Sequence, residues 1–401
     1  MMEFDAAQAR MAEHGRAPGR HEDCAPADLS GRILAQTLLA NLDLPPADNS
    51  AMDGYALRLA DLASGRPLPI QQHCFAGDTP EPLQPGHATR LFTGSLLPDG
   101  ADTIAIQEDC EEAEGAVRVL RPPAQGAYIR RRGEDMARGA VVLARGTLIG
   151  PAQIAVLAAQ GFSHVPVYPR LRIGLLTTGD ELIAPGQDLP NPAAVYNANG
   201  PMLAALCAQL GAEPTLVLHA RDEAGAIRTA LQTLTAQCDL VLSVGGASVG
   251  EKDLVKPAIE ALGGTLDLWR VRMKPGKPVA LADIAGRTLV CLPGNPVSAF
   301  VVFTLLVTPL IRAMQGRHTV LGPVRQGVLR SDRTWGDPRE EFLRVRAAPT
   351  DGLPALIPYS QQSSGVISSL PWSDGIARVT ADTRVTEGAR LNWYAWSDWL
   401  R

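Results

Sequence analysis

The chain has 401 residues, 46% of them hydrophobic and 5% aromatic, with a formal net charge of −5. That length predicts two to four domains rather than one core, and the negative balance argues against a general nucleic-acid binder, so positive charge has to act locally. Six cysteines without a C-x-x-C pair and seven scattered histidines without H-E-x-x-H spacing point to buried thiols in a reducing compartment and away from a zinc site.

Residues 1–25 are polar, show no leader in which a basic region precedes an apolar one, and read as frayed at the start. Leu29 to Leu44 is apolar but fits helix or strand. After Pro45-Pro46 comes Asn49-Ser-Ala-Met-Asp-Gly-Tyr-Ala56. Residues 67–138 are dense in Pro and Gly with short alternating runs, which predicts a small β domain. Pro151 to Gln160 reads as a helix stopped by Gly161.

From Arg172 the period changes. Ile173–Thr177, Thr215–His219 and Asp239–Val244 are strand candidates. Leu266 to Met273 reads as a further strand. Helices are predicted over Pro201–Leu210, entered from Asn199-Gly200, from a cap at Asp222 to about Gln237, and over Leu254–Leu262. Val279–Ile284 and Thr288–Leu292 read as a hairpin around Ala285-Gly286, and Val297–Met314 as the next helix. Its most apolar part, Val297 to Ile311, is broken by Ser298, Thr304, Thr308 and Pro309, and predicts a buried helix rather than a membrane span. Alternating strands and helices imply a mostly parallel sheet. Val328 to Leu400 reads as a separate small β domain.

Three glycine-rich polar loops follow apolar strand-like runs: Ala247–Asp253, Lys274-Pro-Gly-Lys-Pro278 and Gly294–Ser298. Ligands of open α/β sheets bind beyond the carboxyl ends of the strands. Backbone N–H groups, two lysines, serine hydroxyls and a carboxylate at such ends suit phosphate or another oxyanion, with a hard cation nearby. Thr177-Thr-Gly-Asp-Glu-Leu182 offers donors and two carboxylates, but an ordinary helix cap would use the same residues. Capping alone would explain Asp222, and Pro293–Ser298 in isolation is a plain helix entry. Gly246-Ala-Ser-Val-Gly250 matches the G-x-S-x-G nucleophile elbow, but only His318 follows it and Glu251-Lys-Asp253 intervenes before the next helix. An anion loop accounts for it better than a hydrolase does.

Taken together, Asn49–Ala56, Thr93-Gly94, Arg132-Gly-Glu-Asp135, Thr178–Leu182, Gly245–Gly250 with Asp253, Lys274–Pro278 and Pro293–Ser298 resemble the molybdopterin molybdenumtransferase family, which comprises the MoeA-like proteins and the matching domain of gephyrin. Seven motifs in family order are specific; Ala47 and Ala247 are small departures that remove no reactive group. The C-terminal match rests on Phe342-Leu-Arg344 and Gln362-Ser-Ser-Gly365.

The resemblance implies a multidomain α/β-plus-β subunit. Residues 1–40 and 139–168 would form a linker domain, 41–138 a small β domain, 169–318 a central α/β domain with a mostly parallel sheet, and 319–401 a C-terminal β-barrel. It implies insertion of molybdate into adenylylated molybdopterin, with release of AMP and use of Mg²⁺, by a cytoplasmic homodimer with composite active sites. By resemblance, Lys274, Lys277, Ser298, Arg344 and Ser364 hold molybdate, and Asp222 and Asp253 support Mg²⁺ or the hydrolysis. Asp53, Asp135 and Glu181 join those two aspartates as catalytic candidates. Thr93, Thr178, Gly179, Asp180, Gly245, Gly246, Ser248, Gly250, Pro293, Gly294 and Asn295 complete the substrate contacts. Molybdopterin adenylyltransferase and molybdoenzymes are the expected partners; nucleic acid and membrane are not. The rivals are a molybdopterin adenylyltransferase, which normally lacks the flanking β domains, and a non-catalytic gephyrin-like scaffold.

Overall fold

The computed structural model describes residues 1–245 and 254–401. The chain forms two compact units, one of residues 37–144 and 151–163, the other of residues 1–36, 145–150 and 164–401.

The smaller unit is built on a six-stranded mixed sheet in the order Thr103–Ile106, Gly54–Leu57, Ala88–Leu91, Leu68–Cys74, Ala116–Val119, Cys110–Ala113. Its short runs alternate because one face buries Tyr55, Leu57, Leu68, Ala105 and Val117. The helix Pro151–Ala159 ends before Gly161, whose φ of +74° makes the left-handed stop that glycine adopts without a Cβ penalty.

The larger unit is organised by a second six-stranded sheet. Its order is Glu213–Ala220, Arg172–Thr178, Leu240–Val244, Arg287–Leu292, Pro278–Ile284, Thr265–Arg270. The first four strands are parallel, and the last two add antiparallel. Ala285 and Gly286 both have positive φ, +52° and +76°, which gives the 278–292 hairpin a turn matched to strand twist. One face of the sheet packs under Ala224–Gln237 and Val255–Ala261. The other packs under Phe4–His14, Asn199–Gln209 and the helical stretch 296–314. That stretch is long and apolar enough to cross a bilayer, but most of it is buried inside the protein's own core. It contains a π-helical turn, Phe303–Val307.

Four local expectations are corrected. The N-terminus is not frayed: Phe4, Ala7 and Met11 share one face of the helix Phe4–His14 and are fully buried. Burying Phe4 and Met11 contributes about 2 kcal/mol each, enough to hold a short helix. Leu29 to Leu44 forms mostly irregular chain with one short strand, Leu38–Leu39. The strand predicted over Leu266–Met273 stops at Arg270, and Met273–Lys274 pairs instead with Glu340 and Glu341. The cap of the helix Ala224–Gln237 is Glu223, not Asp222, and it makes no side-chain capping bond.

The C-terminal strands close on themselves. Glu340–Ala348 pairs with Ala355–Pro358, which continues through Arg325–Leu329, Arg390–Ala395 and Gly375–Val379 back to Glu340–Ala348. This five-stranded barrel is not separate from the α/β part. Phe342, Ile376, Tyr394 and Trp399 join Phe4 and the 296–314 stretch in one core, with the Phe4 and Phe342 rings 4.8 Å apart.

Candidate active site

Chain direction places four described loops, and Gly245, at one edge of the larger unit's sheet. The segments after Thr178, Ala220 and Leu292, and Gly245 after Val244, leave the carboxyl ends of parallel strands. Thr265–Arg270 runs parallel to Arg287–Leu292, since both are antiparallel to Pro278–Ile284, so residues 271–277 turn at that same edge. Candidate residues distant in sequence therefore meet there.

Glu181, Gly245, Pro293, Gly294, Asn295 and Ser298 line one cavity of about 550 Å³, together with Tyr196, Asn199 and Pro278. Gly245 has φ +103°, and a Cβ there would lie 2.8 Å from the Thr178 hydroxyl, so only glycine fits. Gly179, at φ +139°, is pressed against Glu181 in the same way, with a Cβ meeting the carboxylate at 2.6 Å. Ser298 sits in the first turn of Pro296–Val302 and is nearly buried. Asn295 donates from Nδ2 to the Ser364 hydroxyl at 3.1 Å, which ties this loop to the barrel segment.

Asp180 and Asp222 lie together: the Asp222 amide donates to Asp180 Oδ1 at 3.4 Å, and Arg221 pairs with the same oxygen at 3.3 Å. Among the described residues no group of three or more His, Cys, Asp or Glu converges on a metal position. Two exposed hard-oxygen carboxylates are enough for Mg²⁺ when substrate phosphates supply other ligands, so the donor set fits in that limited sense. Gly246, Ser248, Gly250 and Asp253 lie outside the described residues.

The two lysines differ. Lys274 Nζ lies 2.9 Å from Glu341 Oε1 and 3.1 Å from Asp337 Oδ2. Burial pulls its ammonium down, but the hydrogen bonds to Glu341 and Asp337 outweigh that and leave it above the ordinary lysine value. Arg339 pairs with Asp337 at 2.9 Å, so two cations meet two carboxylates and the cluster is neutral. Lys277 is exposed and, among the described residues, has no ion-pair partner. Among the described residues it is the positive charge on this turn without a carboxylate beside it. Gly276 lets the turn sit against the helix: at φ +102° a Cβ would come within 2.4 Å of Val302.

Arg344 is fully buried. Its guanidinium donates to Ser369 Oγ at 3.1 Å and to the carbonyls of Gln361, Gln362 and Ser363 at 3.2, 3.0 and 3.0 Å. Burial lowers it to about 10, against the pull of Glu341, so it stays charged at neutral pH. This fork of donors grips the loop that carries Ser364.

Asp53, Thr93 and Asp135 belong to the smaller unit. The Thr93 amide and hydroxyl both donate to Asp53 Oδ1, at 2.7 and 2.8 Å, and hold that carboxyl below its ordinary value. Asp135 is exposed on a loop pinned by neighbours: Asp48 accepts from the Arg132 amide at 2.8 Å and Asp43 from Arg132 Nε at 2.6 Å.

One cavity residue escaped sequence reasoning except as a helix entry. Asn199 is 6% exposed and donates to the Gly294 carbonyl at 2.7 Å, which fixes its amide orientation. Its Oδ1 is a buried acceptor without a partner among the described residues. The only signal was the Asn-Gly pair at a helix start. Asp337 and Glu341 gave no signal at all.

Glycines, hydroxyls and an exposed lysine at the carboxyl edge of an α/β sheet, with a barrel segment docked beside them, define an enzyme class that handles an anionic, phosphate-bearing substrate. Comparison with known proteins makes the class specific. Residues 2–161 match the MoeA N-terminal region (domain I and II), 174–313 the probable molybdopterin binding domain, and 326–396 the MoeA C-terminal region (domain IV). The chain is 35% identical to the molybdopterin molybdenumtransferase of Haemophilus influenzae, over 79% of this chain and 78% of that one. It is 34% identical to molybdopterin molybdenumtransferase 2 of Mycobacterium tuberculosis, over 90% and 91%. A crystal structure of the molybdopterin biosynthesis MoeA protein of Pyrococcus horikoshii superposes with TM-score 0.85 at 26% identity, covering 98% of this chain and 100% of that one. The chain belongs to the molybdopterin molybdenumtransferase family.

Proposed function

We propose that this chain acts in molybdenum cofactor biosynthesis by inserting molybdate into adenylylated molybdopterin, with release of AMP. The observation that carries the reading is the carboxyl-edge cavity, where Glu181, Gly245, Gly294, Asn295 and Ser298 meet and Ser364 of the barrel segment is bonded to Asn295. Molybdate is a dianion, so the exposed Lys277 ammonium and the Ser298 and Ser364 hydroxyls are its natural donors. Lys274 joins them when the anion competes with Glu341 and Asp337. Arg344 contributes by holding the Ser364 loop. The unpartnered Asn199 Oδ1 suits an N–H donor of the pterin. Thr178, Gly179 and Gly245 bring backbone close to the substrate.

Mg²⁺ would be held by Asp222, which lies beside Asp180, and by Asp253, and would neutralise charge on the pyrophosphate linkage. Asp53, Thr93 and Asp135 are further site residues of this reading. The assembly is a homodimer whose sites each draw on two subunits, and it works in the cytoplasm, a setting that six cysteines without a C-x-x-C pair favour. A molybdopterin adenylyltransferase and recipient molybdoenzymes are the proposed partners.

One mixed assay tests the reading. AMP release from adenylylated molybdopterin that requires molybdate supports it. Adenylate formation from ATP would instead make the chain an adenylyltransferase, and neither activity would leave a scaffold.

A further inference from the structure

The larger cavity of this unit lies at the opposite end of the sheet. It measures about 770 Å³ and is lined where the parallel strands begin, by Arg170 and Arg172, Asp239, and Arg287 of the hairpin. Arg16 and Arg20, from the segment after the first helix, face the same space. Five arginines stand against two aspartates, Asp239 and Asp283, a net of +3 in a chain of net −5. Such a local reversal of sign draws anions to the cavity.

Both aspartates are already engaged. Asp239 Oδ1 accepts from Arg172 Nη2 at 2.9 Å and from Arg287 Nη1 at 3.3 Å, which sets two guanidinium groups side by side. Asp283 accepts from the Gly286 amide at 2.9 Å. Arg16 donates to the Glu13 carbonyl at 3.0 Å, and a basic residue just past a helix end needs no further explanation. Among the described residues Arg170 donates only to the Gly211 carbonyl, at 3.3 Å. Among the described residues neither Arg20 nor Arg170 has a carboxylate partner. Leu171 and Met314 add apolar surface to the lining. Paired guanidiniums with donors to spare, beside apolar surface, suit a phosphate joined to an organic group. The volume falls in the range of small-ligand sites.

We propose that this amino-edge cavity is a second ligand site, for a phosphorylated organic anion of nucleotide size. It is separate from the carboxyl-edge cavity and does not depend on the reaction assigned there.

Calorimetric titration of the full chain tests it, with AMP and inorganic pyrophosphate as probes. The proteins are wild type, Arg20→Ala/Arg170→Ala, and Lys277→Ala/Ser298→Ala. The two arginines are exposed, so their removal leaves the fold intact, and an unchanged melting temperature checks this. An AMP-binding event should persist in Lys277→Ala/Ser298→Ala and weaken about tenfold or more in Arg20→Ala/Arg170→Ala. The proposal is overturned if no AMP binds once the carboxyl-edge site is crippled, or if the arginine variant loses no affinity when placed in that background. Pyrophosphate binding as tightly as AMP in that background would overturn the organic part of the assignment.

Discussion

Glu341 Oε1 lies 2.9 Å from Lys274 Nζ, and the carboxylate is almost fully buried while the ammonium is only partly so. The pair couples the anion site to the stability of the barrel. Lys274→Ala should do two things: raise the molybdate concentration for half-maximal AMP release, by a loss on the order of 1.5–3 kcal/mol, and lower the melting temperature, because Glu341 is left buried without its partner. Lys277→Ala should raise the half-saturation point alone. Equal melting temperatures for the two variants would contradict the coupling.

Asp337 gives the same cluster a pH signature. Its hydrogen bonds with Arg339, then with Lys274, work against burial and hold its carboxyl at about 2, well below its ordinary value. A depressed folded-state value stabilises the protein above the unfolded value of roughly 4, and that stability is lost as pH falls from about 4 towards 2. Wild type should therefore lose on the order of 2 kcal/mol across this window that Asp337→Asn does not lose. Urea melts at pH 5, 4, 3 and 2 compare the two slopes; parallel curves would refute the assignment.

Arg344 is expected to act through the loop it grips. Arg344→Ala leaves three carbonyls unpaired and a void, and should cost about 3–5 kcal/mol in denaturant unfolding. Arg344→Lys keeps the charge without the fork. It should fold, but with a raised half-saturation point for molybdate because Ser364 is no longer held against Asn295. A wild-type titration for Arg344→Lys would mean that charge alone matters there.

Gly245→Ala combines left-handed strain with a clash on the Thr178 hydroxyl, and should destabilise by about 1–3 kcal/mol and abolish substrate binding. Adding Thr178→Ala removes the clash but not the strain. The double variant should therefore recover part of the stability, a positive coupling readable in a double-mutant cycle. Strict additivity would show that the two residues do not touch.

Site-type motifs fall in two different units, Asp53, Thr93 and Asp135 in one and Lys277, Ser298 and Gly245 in the other. If each active site is shared between subunits of a two-fold dimer, mixing complementary defects restores one intact site. A doubly tagged heterodimer of Asp53→Ala with Lys277→Ala should show up to about half the wild-type activity, while both mutant homodimers stay nearly inactive. No recovery in the mixed species would assign each site to a single chain.

Much of this was legible in the sequence because it is local. The turn Ala285-Gly286, the stop at Gly161, the strand before Thr178 and the long apolar stretch ending at Met314 are each written in a few neighbouring residues, and all four formed as read. The motif order was enough to identify the family. What the sequence could not express is charge compensation across distance. Lys274 and Lys277 sit three residues apart on one turn, yet one is neutralised by Asp337 and Glu341, more than sixty residues away, while the other is exposed and has no carboxylate partner among the described residues. Resemblance alone puts Arg344 among the anion ligands; the fold buries it and engages its donors with the carbonyls of the Ser364 loop. Asn199 read as a helix entry, and only the packing that bonds its Nδ2 to the Gly294 carbonyl leaves its Oδ1 a buried acceptor without a partner among the described residues. Residue type sets which bonds a side chain can make, and the packing of distant segments sets which of them remain available for a substrate.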